Sequence, residues 1–211
     1  MPIRALLLDF NGTLSNDEPL LCELFRDLFA EQGRPLAEEE YYGRLSGLAD
    51  HEIVRTWLGR DDPQVVAEYA RRYVARAGDG STIPPEAREA VRAAGAAGVR
   101  LAVVSGAPHV AIEAALHGAA LSGFFAAVVA AEDVEHGKPD PAGFLRALDL
   151  LGMSPGEAVA VEDSEAGVTA AKAAGLYTVA VVSTVGADRL GAADELAGRL
   201  DAPLVERLVN R

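Results

Sequence analysis

Residues 3–8 form a short, nearly unbroken apolar run that stops at Asp9, with Asn11-Gly12 just beyond. A run of this length closed by a turn signal predicts a buried parallel strand. The pattern recurs along the chain. Residues 99–104 end at Ser105-Gly106, 158–161 at Glu162-Asp163-Ser164, and 177–182 at Ser183-Thr184. Residues 124–131 supply a further candidate strand. Between these runs the apolar positions return at helical spacing. Residues 85–97 carry Ala87, Val91 and Ala94, with Gly98 beyond the end. Residues 110–117 form another helical stretch, and 141–151 and 166–174 are closed by Gly152 and Gly175. Strands alternating with helices predict an α/β fold, a Rossmann-like parallel sheet covered on both faces.

Residues 16–81 break this rhythm. They lack buried-strand runs and are rich in Glu, Arg, Leu and Tyr. Leu21, Leu24, Phe25 and Leu28 make one helical stripe; Val65, Val66, Tyr69, Tyr73 and Val74 make another. The breaks fall at Gly33-Arg34-Pro35, Gly43, Gly47, Gly59 and Asp61-Asp62-Pro63. This predicts a four-helix insertion after the first strand. The chain leaves at Ser15-Asn16 and returns near Gly78-Asp79-Gly80-Ser81. The division is then a core of 1–15 and 82–211 and a helical domain of 16–81.

Composition narrows the function classes. Half of the 211 residues are apolar, enough for a full core, and only 6% are aromatic. That core is expected to be mostly Ala, Val and Leu. Net charge is −13, from 32 acids against 19 bases. This opposes binding to nucleic-acid backbones and to anionic membranes. A small anionic substrate stays open, because a bound metal reverses the local sign. Only two of the bases are lysines, Lys138 and Lys172. One cysteine, Cys22, excludes an intrachain disulfide and a Cys-based zinc site. No apolar run approaches the ~18 residues of a membrane span, and the first residues lack a signal-peptide layout. The expectation is a cytoplasmic protein, monomeric or weakly dimeric.

In doubly wound sheets ligands sit at the carboxyl ends of the strands. Four polar clusters occupy such positions: Asp9 to Thr13, Ser105-Gly106, Lys138-Pro139 and Glu162-Asp163-Ser164. Singly, each reads as a helix cap or a solvated loop. Together they supply what phosphoryl transfer needs. Asp9 is a candidate carboxylate nucleophile. Asp9, Asp163 and Glu162 make a hard oxygen site suited to Mg2+. Amides around Asn11-Gly12 and Ser105-Gly106 can donate to phosphate oxygens, and Lys138 is a point cation.

The motifs Leu7-Leu8-Asp9-Phe10-Asn11-Gly12-Thr13-Leu14, Val103-Val104-Ser105-Gly106, His136-Gly137-Lys138-Pro139-Asp140-Pro141 and Val161 through Gly175 stand in this order. In them the chain resembles the haloacid dehalogenase superfamily, most closely its β-phosphoglucomutase and phosphoglycolate-phosphatase-like branch. The resemblance covers nearly the whole chain. It implies a helical cap between the first two motifs, a small phosphorylated metabolite as substrate, and an aspartyl-phosphate formed at Asp9. Asp9, the Asn11 carbonyl and Asp163 would hold Mg2+, with Glu162 as a further ligand or supporting partner. Ser105 and Lys138 would bind the phosphoryl group, with Gly12, Thr13 and Gly106 around it.

One position departs from that pattern. Phosphatases and mutases of the family place an acid–base Asp two residues after the nucleophile, where this chain has Asn11. Acid–base help of that kind is worth about 10²–10⁴-fold. The resemblance therefore leaves three readings. One is a Mg2+-dependent phosphatase with weakened or rerouted proton transfer, suited to good leaving groups. The second is a non-catalytic phosphate-binding relative. The third is an Asp-to-Asn variant of a phosphatase or phosphomutase. In the insertion, Arg44, His51 and Arg55 flank Gly47-Leu48-Ala49-Asp50, a segment resembling the family's substrate-specificity loop; Arg44 could reach a distal phosphate or carboxylate or line a solvated helix face. Asp50 reads as a helix N-cap, Cys22 as a small buried hydrophobe, and Gly167 as a site of close packing.

Overall fold

The computed structural model describes residues 2–211. Its sheet has six strands: β1 (Ala5–Leu8), β2 (Arg100–Val104), β3 (Phe125–Val129), β4 (Ala158–Glu162), β5 (Tyr177–Val181) and β6 (Glu195–Ala197). All pairings are parallel and the order is β3-β2-β1-β4-β5-β6. The sheet is buried on both faces, which is why its strands read as continuous apolar runs. Side chains alternate between the faces. Leu6, Leu8, Leu101, Val103, Val159 and Val161 face one side. There they meet α5 (Pro85–Ala96), α6 (His109–Gly118) and α9 (Ala202–Val209). Leu7, Ala102, Val104 and Ala160 face the other, against α7 (Ala142–Leu151) and α8 (Glu165–Ala173).

Between β1 and α5 lie four helices: α1 (Glu18–Glu31), α2 (Glu38–Arg44), α3 (Asp50–Leu58) and α4 (Pro63–Ala77). Their interior differs from the sheet's. It is aromatic, with Phe25 stacked on Tyr69 at 4.2 Å between ring centroids. Phe29, Tyr41, Trp57 and Tyr73 are buried around them. The expected Ala, Val and Leu core thus describes the sheet layers. Small residues fit where helices lie close on a sheet, whereas four short helices need large rings to fill the space between them.

The exit and return of the chain are tied together. Asn16 N donates to the Thr82 carbonyl at 2.8 Å. The Ser15 hydroxyl meets the Thr82 hydroxyl at 2.8 Å. The predicted helices and strands are present within a few residues of their expected ends. Two elements went unforeseen, β6 and α9. The first is three residues long, too short for a periodic signal. The second is eight residues, and its start is legible in hindsight: Asp201 caps it by accepting from Leu204 N at 2.9 Å.

Candidate active site

The four predicted polar clusters converge at the carboxyl edge of the sheet, around its central strand. Asp9 leaves β1 with its amide still donating to the Val161 carbonyl of β4, at 2.9 Å. Ser105 leaves β2 in the same manner, donating to the Val129 carbonyl at 2.9 Å. The sheet's own ladder therefore fixes both the nucleophile candidate and the serine predicted to meet phosphate. Lys138 arrives from the loop after β3. Its ammonium pairs with Asp9, pairs with Glu162 at 2.5 Å, and donates to the Val104 carbonyl at 2.9 Å.

Glu162 acts as a strut. It is fully buried. Its second oxygen accepts from Asp163 N at 3.0 Å, Ser164 N at 3.3 Å and the Ser164 hydroxyl at 3.1 Å. The carboxylate thereby sits on the first turn of α8, where negative charge is favoured. Gly167 leaves room for it: any Cβ there would overlap the Glu162 carboxylate. Gly12 plays the same part for Asp163. Its φ is +78°, and a Cβ would run into the Asp163 carboxylate and Thr184. Thr13 donates its hydroxyl to Asp163 at 3.3 Å.

Asp9, Glu162 and Asp163 bring carboxylate oxygens within 4.8 Å of one another, all buried. Burial pushes Asp9 up to about 7, against the pull of Lys138 and with the push of Glu162. Asp163 is driven well above the usual carboxylate range by burial and then by its two acidic neighbours. Lys138 stays charged: burial opposes it, and the Asp9 and Glu162 carboxylates outweigh burial. One lysine cannot neutralise three carboxylates. A hard divalent cation fits this oxygen set and would relieve the repulsion.

Above this floor lies a roof built by α1, α2, the start of α3 and the loop between the last two. Glu18, Leu21, Tyr41, Gly47, Leu48, Ala49, Asp50 and Ile53 cover Asp9, Asn11, Ser105, Lys138 and Asp163. The contact between roof and floor is close. A Cβ at Gly106 would stand 3.0 Å from Ala49 Cα, and one at Gly47 would stand 3.0 Å from Ser164 Cβ. The space left between them is about 40 Å³, room for a few waters.

Comparison with known proteins identifies the family. The profile of the haloacid dehalogenase-like hydrolases matches residues 3–175. The chain belongs to that family. It is similar to validoxylamine A 7'-phosphate phosphatase of Streptomyces hygroscopicus subsp. limoneus, 31% identical over 198 residues, 92% of each chain. It is also similar to hexitol phosphatase A of Escherichia coli, 31% identical over 100% of this chain and 97% of that one. CbbY from Rhodobacter sphaeroides, solved in complex with phosphate, superposes with a TM-score of 0.85 at 28% identity, over 94% of this chain and 95% of that one. With named phosphatases at this similarity over nearly the whole chain, the protein is a phosphatase-type hydrolase. Hydrolases of this family generally use a divalent metal, and Asp9, Glu162 and Asp163 are the buried acidic group that offers one a place.

Not every residue singled out in the sequence joins this haloacid dehalogenase-like site. Asn11 lines the pocket, but its amide turns aside and donates to Asp17 at 2.9 Å. Asp17 also accepts from the Tyr73 hydroxyl at 2.5 Å, so the loop after β1 is bonded to α4 through one buried carboxylate. Arg44 lies outside the pocket, its guanidinium 5.9 Å from the centre of the Trp57 ring. Asp50 is not the N-cap of α3. Ala49 holds that position, and Glu52 reaches back to its amide at 3.3 Å. Asp50 is the first helical residue instead, and it faces the pocket. Glu18, Tyr41, Ser164 and Thr184 also line the pocket and were not singled out as site residues. A lone acid at the start of a helix reads as an ordinary end charge, so nothing local marks Glu18.

Proposed function

We propose that this chain is a Mg2+-dependent phosphatase that hydrolyses a small phosphate monoester through an aspartyl-phosphate on Asp9. The observation that carries the reading is the bridge from Lys138 to Asp9 and Glu162, set beside Asp163. Asp9, Asp163 and the Asn11 carbonyl would hold the ion, and Glu162, already engaged by Lys138 and Ser164, would support them from behind. Once bound, the ion would neutralise the charge shared by carboxylates and phosphate.

The residues divide the work. Lys138, the Ser105 hydroxyl and the amides near Gly12 and Gly106 orient the phosphoryl group. An Asp9 carboxylate oxygen forms a bond to phosphorus as the ester oxygen leaves. Water then attacks the same phosphorus and releases phosphate with Asp9 restored. Asn11 cannot carry a proton between these steps, so esters with good leaving groups are favoured. Residues 16–81 act as the cap. It must open to admit any substrate larger than the present cavity, and it closes to exclude water.

Phosphate release from acetyl phosphate and p-nitrophenyl phosphate, with and without Mg2+, tests this. The chain is compared with Asn11→Asp and Asp9→Asn. Mg2+-dependent turnover that disappears in Asp9→Asn is expected, with a gain in Asn11→Asp. Surviving turnover in Asp9→Asn would remove the mechanism. A silent chain switched on by Asn11→Asp would leave a phosphate-binding relative whose site is complete but for one proton carrier.

A further inference from the structure

Asp17 stands at the N-cap of α1, where an aspartate ordinarily accepts from the free amides of its own helix. Here it makes no such bond. The residue is only 1% exposed, and its carboxylate serves two partners elsewhere in the chain. Oδ2 accepts from the Asn11 amide at 2.9 Å and from the Tyr73 hydroxyl at 2.5 Å. Oδ1 has no partner. One donor thus comes from the loop after β1 and the other from α4.

A buried carboxylate is costly without donors, and this one leans on those two side chains. The Asn11 amide serves because it can donate. A carboxylate at position 11 would bring Asp17 a second negative charge in place of a donor. The two positions are therefore matched, one donor to one acceptor. The match also sets a direction. Asn11 lines the pocket, so its side chain has the pocket on one side and Asp17 on the other. A hydrogen bond to a charged group shifts such a balance by about 10- to 100-fold, and here it favours Asp17.

We propose that Asp17 is a positioning residue for the reaction at Asp9: it holds the side chain at position 11 out of the phosphate pocket. Tyr73 fixes Asp17 in turn, so the orientation of residue 11 is set from α4, inside the insertion. The lack of a proton carrier beside Asp9 then belongs to the pair and not to Asn11 alone. The inference rests on the phosphatase reading and adds to it a residue outside the pocket.

A cycle of Asn11→Asp, Asp17→Asn and the two changes together tests it. The readouts are the urea midpoint and kcat for p-nitrophenyl phosphate in Mg2+. Asn11→Asp sets two carboxylates against each other. Its midpoint should fall, and repulsion should turn the new side chain into the pocket, raising kcat. The double change remakes the bond in reverse. The new amide at position 17 donates to the new carboxylate at 11, and its carbonyl still accepts from Tyr73. The midpoint should recover at least half of what Asn11→Asp lost, beyond the sum of the single changes, while kcat falls back about tenfold or more. Stability and turnover then move in opposite directions. A merely structural role for Asp17 would raise both together. No gain in Asn11→Asp, a gain that the double change keeps, or a midpoint that does not recover would each overturn the inference while leaving the phosphatase reading intact. If Asn11→Asp does not fold, folding of the double variant is the recovery, and its kcat must then stay within about tenfold of the unmodified chain; a larger rise overturns the inference. If no variant turns over the ester, the phosphatase reading falls and the midpoints alone judge the pair: recovery keeps it, and its absence ends it.

Discussion

At the scale of single residues, the site depends on what is missing as much as on what is charged. Gly167 is the clearest case. The Glu162 carboxylate fills the volume where its side chain would be, and that carboxylate holds Lys138. Gly167→Ala should lower stability by about 1–3 kcal/mol, the usual cost of overpacking a tight interior. It should also displace Lys138 and reduce phosphate release. A urea midpoint and activity matching the unmodified chain would show that Glu162 can move aside freely. The sequence pointed to Gly167 as a site of close packing, because a glycine in the first turn of a helix has no other evident use. It could not identify the partner. Asp50 is the converse. Its sequence context suggests a cap, and only the path of the chain through Ala49 turns it toward the pocket.

Among the elements, α1 shows how burial sets chemical reactivity. Cys22 is 3% exposed on that helix, and burial, followed by the Glu38 charge, pushes its thiol up to about 11. The folded value lies above the unfolded value of 9.0. The contribution to stability is therefore complete below about pH 9 and is lost as the pH rises toward 11. At pH 8.5 iodoacetamide should label the native protein slowly and the urea-unfolded protein readily. Fast labelling of the native form would mean that α1 opens on its own. The helices of the insertion were legible from their stripes, since a 3.6-residue period survives in any amphipathic helix. The bond from Tyr73 of α4 to Asp17 was not, because the two positions are 56 residues apart in the chain and nothing local pairs them.

For the molecule as a whole, the decisive quantity is the narrow space between roof and floor. About 40 Å³ lies open between them, and the proposed mechanism predicts that the insertion lifts to admit substrate. A crosslink can test that. A Cβ at Gly137 would stand 3.7 Å from Ala49 Cβ, within the range of about 3.5–4.5 Å that a disulfide needs. The pair Ala49→Cys with Gly137→Cys should be inactive when oxidised and recover on reduction, because the bond clips the roof to the floor. Full activity in the oxidised form, with the bond confirmed by mass, would rule out the need for opening. The net charge of −13 bears on partners in the same way at this scale. It opposes polyanions over the whole surface.

The sequence by itself determined the alternation of buried strands and amphipathic helices, the place of the insertion and the polar cluster at each strand end. Those features are written in local periodicity and in turn residues, which need no distant partner to be read. Tertiary structure decided the rest. It joined Lys138 to Asp9 and Glu162 across 129 and 24 positions of chain, turned the Asn11 amide toward Asp17, left Arg44 over Trp57, and aimed Asp50 into the pocket. Each of these depends on which surfaces pack together. An arginine or an aspartate carries the same local signal whether it faces solvent, a ring or a substrate, and only the packed chain distinguishes them.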